Sequence, residues 1–159
     1  MSDTGTIALH GALIAYLKAF TPAGGANSIG MILSGRLWAI RAPDNAAFPH
    51  GVLRLTGREQ SGDDASLREE GRIEIMVFGR PLSQASNVEA VLDIAGAAFL
   101  KYSANHGGLF DVRARVTRDT LPPPPAPGDR EIAQGRAVWS YSWWPDSLTQ
   151  YAIAVGDAP

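Results

Sequence analysis

Apolar and polar residues recur along this chain with two periods, and the changes of period mark where helix gives way to strand. Ile7, Leu9, Leu13, Ile14, Tyr16, Leu17 and Phe20 fall near the i, i+3, i+4, i+7 spacing that gathers side chains on one helix face. Asp3 or Thr4 can cap this segment and Thr21-Pro22-Ala23-Gly24-Gly25 stops it, which predicts a helix over about 5–20. A second stripe, Val88, Val91, Leu92, Ala95, Ala98, Phe99 and Tyr102, predicts the best helix of the chain. Ser83 or Ser86 opens it, Ser86-Asn87-Val88-Glu89 has the form of a capping box, and Asn105-His106-Gly107-Gly108 ends it. Elsewhere the period is two, which predicts strands over 36–41, 51–59, 68–78, 110–118 and 131–144. In 68–78, Ile73, Ile75 and Val77 share one side while Arg72, Glu74, Met76 and Phe78 share the other. This strand and 51–59 make an antiparallel hairpin through the polar loop Gln60–Ser66.

Glycine and proline punctuate these elements. The stretch from Gly24 to Gly35 is low in charge and predicts a surface loop with a short ordered piece around Ile29–Leu33, and 42–49 predicts a turn or extended connector. Leu121-Pro122-Pro123-Pro124-Pro125-Ala126-Pro127-Gly128 is a stiff polyproline stretch of about 3.1 Å rise per residue, which no sheet interior accepts. The order is helix, strands, hairpin, helix, two strands. It predicts an α+β fold, a mostly antiparallel sheet of four to five strands with two main helices packed on one face. A single domain over 1–159 is expected, with a core at about 5–118, a closing strand at 131–144, the proline-rich connector 121–128 and a mildly apolar tail at 147–159.

Composition narrows the chemistry. With 159 residues, 45% hydrophobic and 19% charged, the chain has the profile of a globular protein with a proper core. Its net charge of −2 marks no global preference for nucleic acid or anionic membrane. It contains no cysteine, so disulfides, thiolate metal sites and cysteine nucleophiles drop out together. The opening Met-Ser-Asp-Thr lacks a basic n-region, and no apolar run approaches the roughly 18 to 20 residues of a membrane span. Neither secretion by a standard signal nor a membrane partner is expected.

The residues that carry chemistry elsewhere find no partners at the needed spacing. His10, His50 and His106 have no second ligand at metal spacing, so structural or solvent-exposed roles are expected and no metal. Ser34 lacks the first glycine of a nucleophile elbow and is a turn residue. The glycines of 24–30 have no following Lys-Ser/Thr and no preceding parallel strand, so phosphate and dinucleotide fingerprints fail. No catalytic residue and no cofactor is expected. Asp63, Asp64, Glu69 and Glu70 lie in or beside the hairpin loop, where solvated carboxylates need no ligand. Arg54, Arg58, Arg68 and Arg72, with Arg113, Arg115 and Arg118, are nearly cancelled by neighbouring acids, so cross-strand or intersubunit ion pairs fit better than a DNA-binding face. The aromatics of 139–144 fit a core or a protein interface better than a ligand platform.

An amphipathic helix leads the chain, then an extended piece ends in Ala47-Phe48-Pro49, then comes a strand with a polar loop. Next, Gly71-Arg72-Ile73-Glu74-Ile75-Met76-Val77-Phe78-Gly79-Arg80 runs straight into the helix Ala85–Phe99. Over about residues 5–118 this layout resembles the tail-terminator or tail-completion proteins of long-tailed bacteriophages and related gene-transfer particles. The Trp-rich finish stands where that family has its closing strand, while Pro122–Pro127 is an addition to the family's shorter members. The resemblance implies a structural virion protein, not an enzyme. Such a subunit is assembled in the host cytoplasm and forms a homo-oligomeric ring, hexameric in that family, at the head-proximal end of the tail. Its partners would be copies of itself, the tail tube protein and the neck or head-completion (stopper) protein, with DNA passing through the lumen unbound. A head-completion or tail-tube subunit, or a small ligand-binding α+β domain with an aromatic pocket, stands as the alternative. Arg58, Asp63, Asp64, Arg68, Glu70, Arg113, Arg115, Trp143 and Trp144 are the expected assembly surface.

Overall fold

The computed structural model describes residues 3–61, 68–80, 84–105, 110–121 and 132–144. Helix α1 spans Asp3–Ala19, followed by a 3-10 turn at Ala23–Gly25 and the single-turn helix α2 at Ile29–Ile32. Strands β1 (Leu37–Ala39), β2 (His50–Ser61) and β3 (Arg68–Gly79) precede the long helix α3 (Ala85–Asn105), and β4 (Phe110–Leu121) and β5 (Ala133–Trp143) complete the described elements. The fold is α+β, with five strands in the order β1-β2-β3-β5-β4. All pairings are antiparallel except β1–β2, which is parallel with Leu37 opposite Gly51 and Ala39 opposite Leu53. The sheet is therefore mixed. The segment between β1 and β2 returns the chain along the sheet edge instead of turning it back, and Arg36 holds that return: its Nε donates to the Pro49 carbonyl at 2.9 Å and a terminal nitrogen donates to that of Phe48 at 3.1 Å. The Phe48–Pro49 peptide is cis.

The alternation read from the sequence sorts β3 as expected. Ile73, Ile75 and Val77 are buried on the helix side, facing Trp139, Ala137 and Gly135 of β5 in register. Arg72 is exposed, and Glu74, Met76 and Phe78 are half-buried on the far side. In β4 the strict alternation is broken by register shifts against β5 between Val112 and Arg115 and between Arg115 and Thr117. A bulge likewise interrupts β2 against β3 between Thr56 and Glu59, with Gly57 at φ 59°, a backbone region in which only glycine is unstrained.

One hydrophobic cluster joins the inner sheet face to α1, α2 and α3, with Leu9, Leu13, Leu17, Leu53, Ile73, Leu92 and Phe99 essentially removed from water. The segment Gly24–Gly35 carries the expected short ordered piece, α2, and that piece packs into the core instead of lying on the surface. Ile29 and Leu33 are buried in that cluster, and Ser28 caps α2 by accepting from the Met31 amide at 3.2 Å. Gly30 allows this close approach, because a Cβ there would lie 2.6 Å from the Lys18 carbonyl oxygen in the last turn of α1. Helix α3 starts at Ala85, so Ser86 lies inside its first turn and not at its N-cap, and Asn87 Nδ2 donates to the Gln84 side chain at 2.6 Å. Ser83, the glycines after Asn105, the polyproline stretch and the tail lie outside the described residues. Among the described residues no helix is long and apolar enough to cross a membrane.

Candidate assembly surface

Two main helices on one face leave the other face of the sheet without a layer of its own among the described residues. Three groups of side chains define what that leaves for contact with other molecules.

The first lies on the helix side, at the end of the β2–β3 hairpin. Register puts Glu69 opposite Trp143, at the same level as Gln60. Glu69 is only 2% exposed, in contrast to the solvated carboxylate expected from its place beside the loop. Arg58, carried past the bulge, donates to both its oxygens at 2.7 to 3.0 Å. The Tyr141 hydroxyl and the Trp143 indole N–H both donate to Oε2, at 2.8 and 2.9 Å. One buried carboxylate thus ties three strand positions together, an arrangement in which the charge is fully met by donors. Burial, and then the hydrogen bond to Glu69, hold the Tyr141 hydroxyl protonated well above its ordinary value.

The second group lies on the open face. Arg54 donates to Glu74 by Nε at 3.0 Å and by a terminal nitrogen at 2.5 Å, and Arg136 approaches the other oxygen of Glu74 at 3.6 Å. Arg68 pairs with Glu70 at 3.2 Å, and its guanidinium carbon stands 6.0 Å from the Trp144 ring. Of the ion pairs expected from the sequence, Arg54–Glu74 and Arg58–Glu69 are formed across strands, while Arg68–Glu70 lies within β3 and is a solvated pair that contributes little stability. Val52, Met76 and Val138 lie half-buried among them.

The third group was not foreseen. His50 begins β2 with its ring among those of Phe48, Phe78 and Trp38, at centroid distances of 5.0, 5.2 and 5.8 Å. Its Nδ1 lies 3.1 Å from the Ala47 carbonyl oxygen, which only accepts, so Nδ1 carries the proton in that bond. The Arg80 guanidinium carbon stands over the Phe48 ring, 6.0 Å from its centroid. Burial lowers the His50 pKa below its ordinary 6.5, against the hydrogen bond to Ala47 and together with the Arg36 charge. A histidine depressed in the folded state gives stability that is complete above the unfolded value and is lost as pH falls through the lower folded one. Denaturant midpoints are therefore expected to drop between about pH 7.5 and about pH 5, and to drop less in His50→Gln. Equal drops in both proteins would remove His50 as the cause.

The expected surface residues divide accordingly. Arg68, Glu70 and Trp144 are at the surface on the open side, close to one another. Arg58 and Trp143 are held inward by Glu69, and Trp143 is 3% exposed, so its part is to fix the hairpin and not to touch a partner directly. Arg113 and Arg115 are placed only as strand positions, Arg115 opposite Trp139. Asp63 and Asp64 lie outside the described residues. The aromatics Trp139, Tyr141 and Trp143 are core, and an open depression among the described residues is lined by Trp38, Arg41, Ala42, Pro43 and Asp44. Among the described residues no three metal-ligating side chains converge. The signal that finds His50 in the sequence is its place between Phe48 and a strand, but its ring partners Trp38 and Phe78 come from two other strands.

No model of a known protein family matches this chain, and no curated protein matches it. Among solved structures the chain is similar to one described as "Virion of native gene transfer agent (GTA) particle", with a TM-score of 0.49 and 12% identity over 89% of this chain and 98% of that one.

Proposed function

We propose that this chain is a structural virion protein that works as a tail terminator: a ring of copies, hexameric by resemblance, that caps the tail tube and joins it to the neck at the head-proximal end. The observation that carries this is the open sheet face, which sets ion pairs around Glu74 beside the aromatic group of Trp38, Phe48 and Phe78. Half-buried aromatics next to arginine are the composition of protein contact sites. The layout from the first helix through Gly71–Arg80 into α3 supports the same reading. The surface is assigned to Arg68, Glu70 and Trp144, with Arg58 and Trp143 shaping the hairpin, and Asp63, Asp64, Arg113 and Arg115 completing it. Its partners are further copies of the chain, the tube protein and the neck protein, and DNA passes through the lumen.

A ring closes only if the rotation between successive heterologous contacts fits. Mass photometry of the purified protein, alone and with tail tubes, is expected to show a species of six subunits, and negative-stain images to show rings at tube ends. Monomers alone in both conditions would reject the ring.

A further inference from the structure

The chain leaves β1 through an isoleucine whose backbone conformation suits glycine. We infer that Ile40 and the depression beside it form a self-complementary patch through which two copies of this chain pair about a two-fold axis. The inference rests on no part of the ring reading, since an isologous contact here and heterologous contacts elsewhere can coexist.

The first reason is strain. Ile40 has φ 69°, a region unfavourable for side chains in general and more so for a β-branched one. Among the described residues the other positive φ values belong to Gly24, Gly25, Gly35, Gly57 and Ser34, so Ile40 is the one bulky residue held there. It is held on both sides. Its N–H donates to the Leu53 carbonyl at 2.9 Å, one step beyond β1, and the Arg41 N–H donates to the Ala39 carbonyl at 2.7 Å, which closes a three-residue turn with Ile40 at its centre. The side chain gains little burial in return, being 62% exposed. Strain that packing within the chain does not offset points to a contact outside it.

The second reason is what lies beside it. The depression is lined by Trp38 on one side of Ile40 in the chain and by Arg41, Ala42, Pro43 and Asp44 on the other. An exposed aliphatic side chain and a hollow walled by Trp38, Ala42 and Pro43 therefore belong to one patch. A two-fold axis through that patch sets each Ile40 against the hollow of the other copy, which is the condition for an isologous contact. Charge agrees. Arg41 and Asp44 meet at 2.7 Å with side chains 77% and 89% exposed, so the patch presents both signs, and the same rotation sets Arg41 of each copy beside Asp44 of the other. The patch has the five lining residues and Ile40, against roughly 20–30 residues a side in a stable interface, so the pairing is weak and fills at high protein concentration.

Sedimentation equilibrium of the full chain over a concentration series is expected to show a doubling of mass as concentration rises, from monomer to pair or from ring to paired rings. Ile40→Asp should weaken the doubling by about tenfold or more, the effect of losing one buried anchor. Ile40→Gly should weaken it comparably and also raise the unfolding midpoint by about 2–4 °C, because glycine removes the strain. A residue that serves only the fold would not move the two readouts in opposite directions. Arg41→Asp alone and Asp44→Arg alone should each pair poorly, while an equimolar mixture of the two should pair about as well as the unmodified chain, since each offers the sign the other lacks. Circular dichroism matched to the unmodified chain shows that each variant is folded. No doubling at any concentration, doubling unchanged by Ile40→Asp, or a mixture no better than its components would each overturn the inference. Rings at tube ends are scored separately by negative stain, so loss of pairing and failure to form rings are told apart.

Discussion

Glu69→Ala is expected to lower the unfolding free energy by about 3–5 kcal/mol, the usual cost of breaking a buried pair from one side. The carboxylate meets the Arg58 guanidinium, the Tyr141 hydroxyl and the Trp143 indole, and its removal leaves all three donors in a site closed to water. The loss is large against the roughly 5–15 kcal/mol that keeps a domain folded. Glu69→Gln keeps the shape but not the charge and should cost less. Tyr141→Phe removes one donor and leaves the others in place, so about 1 kcal/mol is expected. Urea unfolding at neutral pH gives these differences, and a double-mutant cycle of Glu69→Ala with Arg58→Ala should return a coupling toward the upper part of the usual range of about 0.5–3 kcal/mol. A cost below about 1 kcal/mol for Glu69→Ala would mean that water replaces the carboxylate and that the cluster does not hold the hairpin.

Trp139→Ala is expected to cost a similar amount, about 3–5 kcal/mol, by a different route. Trp139 is 4% exposed and stands edge-on to Phe99 of α3, with centroids 4.9 Å apart and planes at 75°. Such a pair adds to the burial of both rings. The indole also lies under Gly96, where a Cβ would meet its atoms at 3.9 Å, an ordinary van der Waals contact. Truncation opens a void between α3 and the middle of the sheet, which the surrounding strands cannot close. Trp139→Phe keeps a ring in place and should cost well under the alanine change. Thermal unfolding followed by calorimetry tests the pair of variants, and equal losses for alanine and phenylalanine would show that the void is not what matters.

These two sites show what a sequence makes visible and what it hides. The alternation of Ile73, Ile75 and Val77, and of Trp139, Tyr141 and Trp143, states directly which side faces the core, because the pleat converts period into face. The stripe of α3 is legible for the same reason, with Val88 to Tyr102 all buried as spaced. Glu69 was legible only as an acid beside a loop. Two of its donors arrive from 72 and 74 residues further along, and only the pairing of β3 with β5 brings them near. The parallel direction of β1 was hidden too, since three residues alternate identically whichever way they run. In 24–35 the short ordered piece around Ile29–Leu33 was legible but its burial was not, because glycines and serines outnumber the two side chains that decide where it packs.

The bulge in β2 bears on how such a chain stays dispersed in solution. Beyond Leu53 the outer edge of β2 has no neighbouring strand among the described residues, and an unpaired edge invites growth by addition of further strands. At Thr56–Glu59 the ladder is kinked at Gly57 and flanked by Arg54, Arg58 and Glu59, the combination that makes an edge a poor template. A chain with such an edge can then accumulate at high concentration without zipping into fibres through edge pairing.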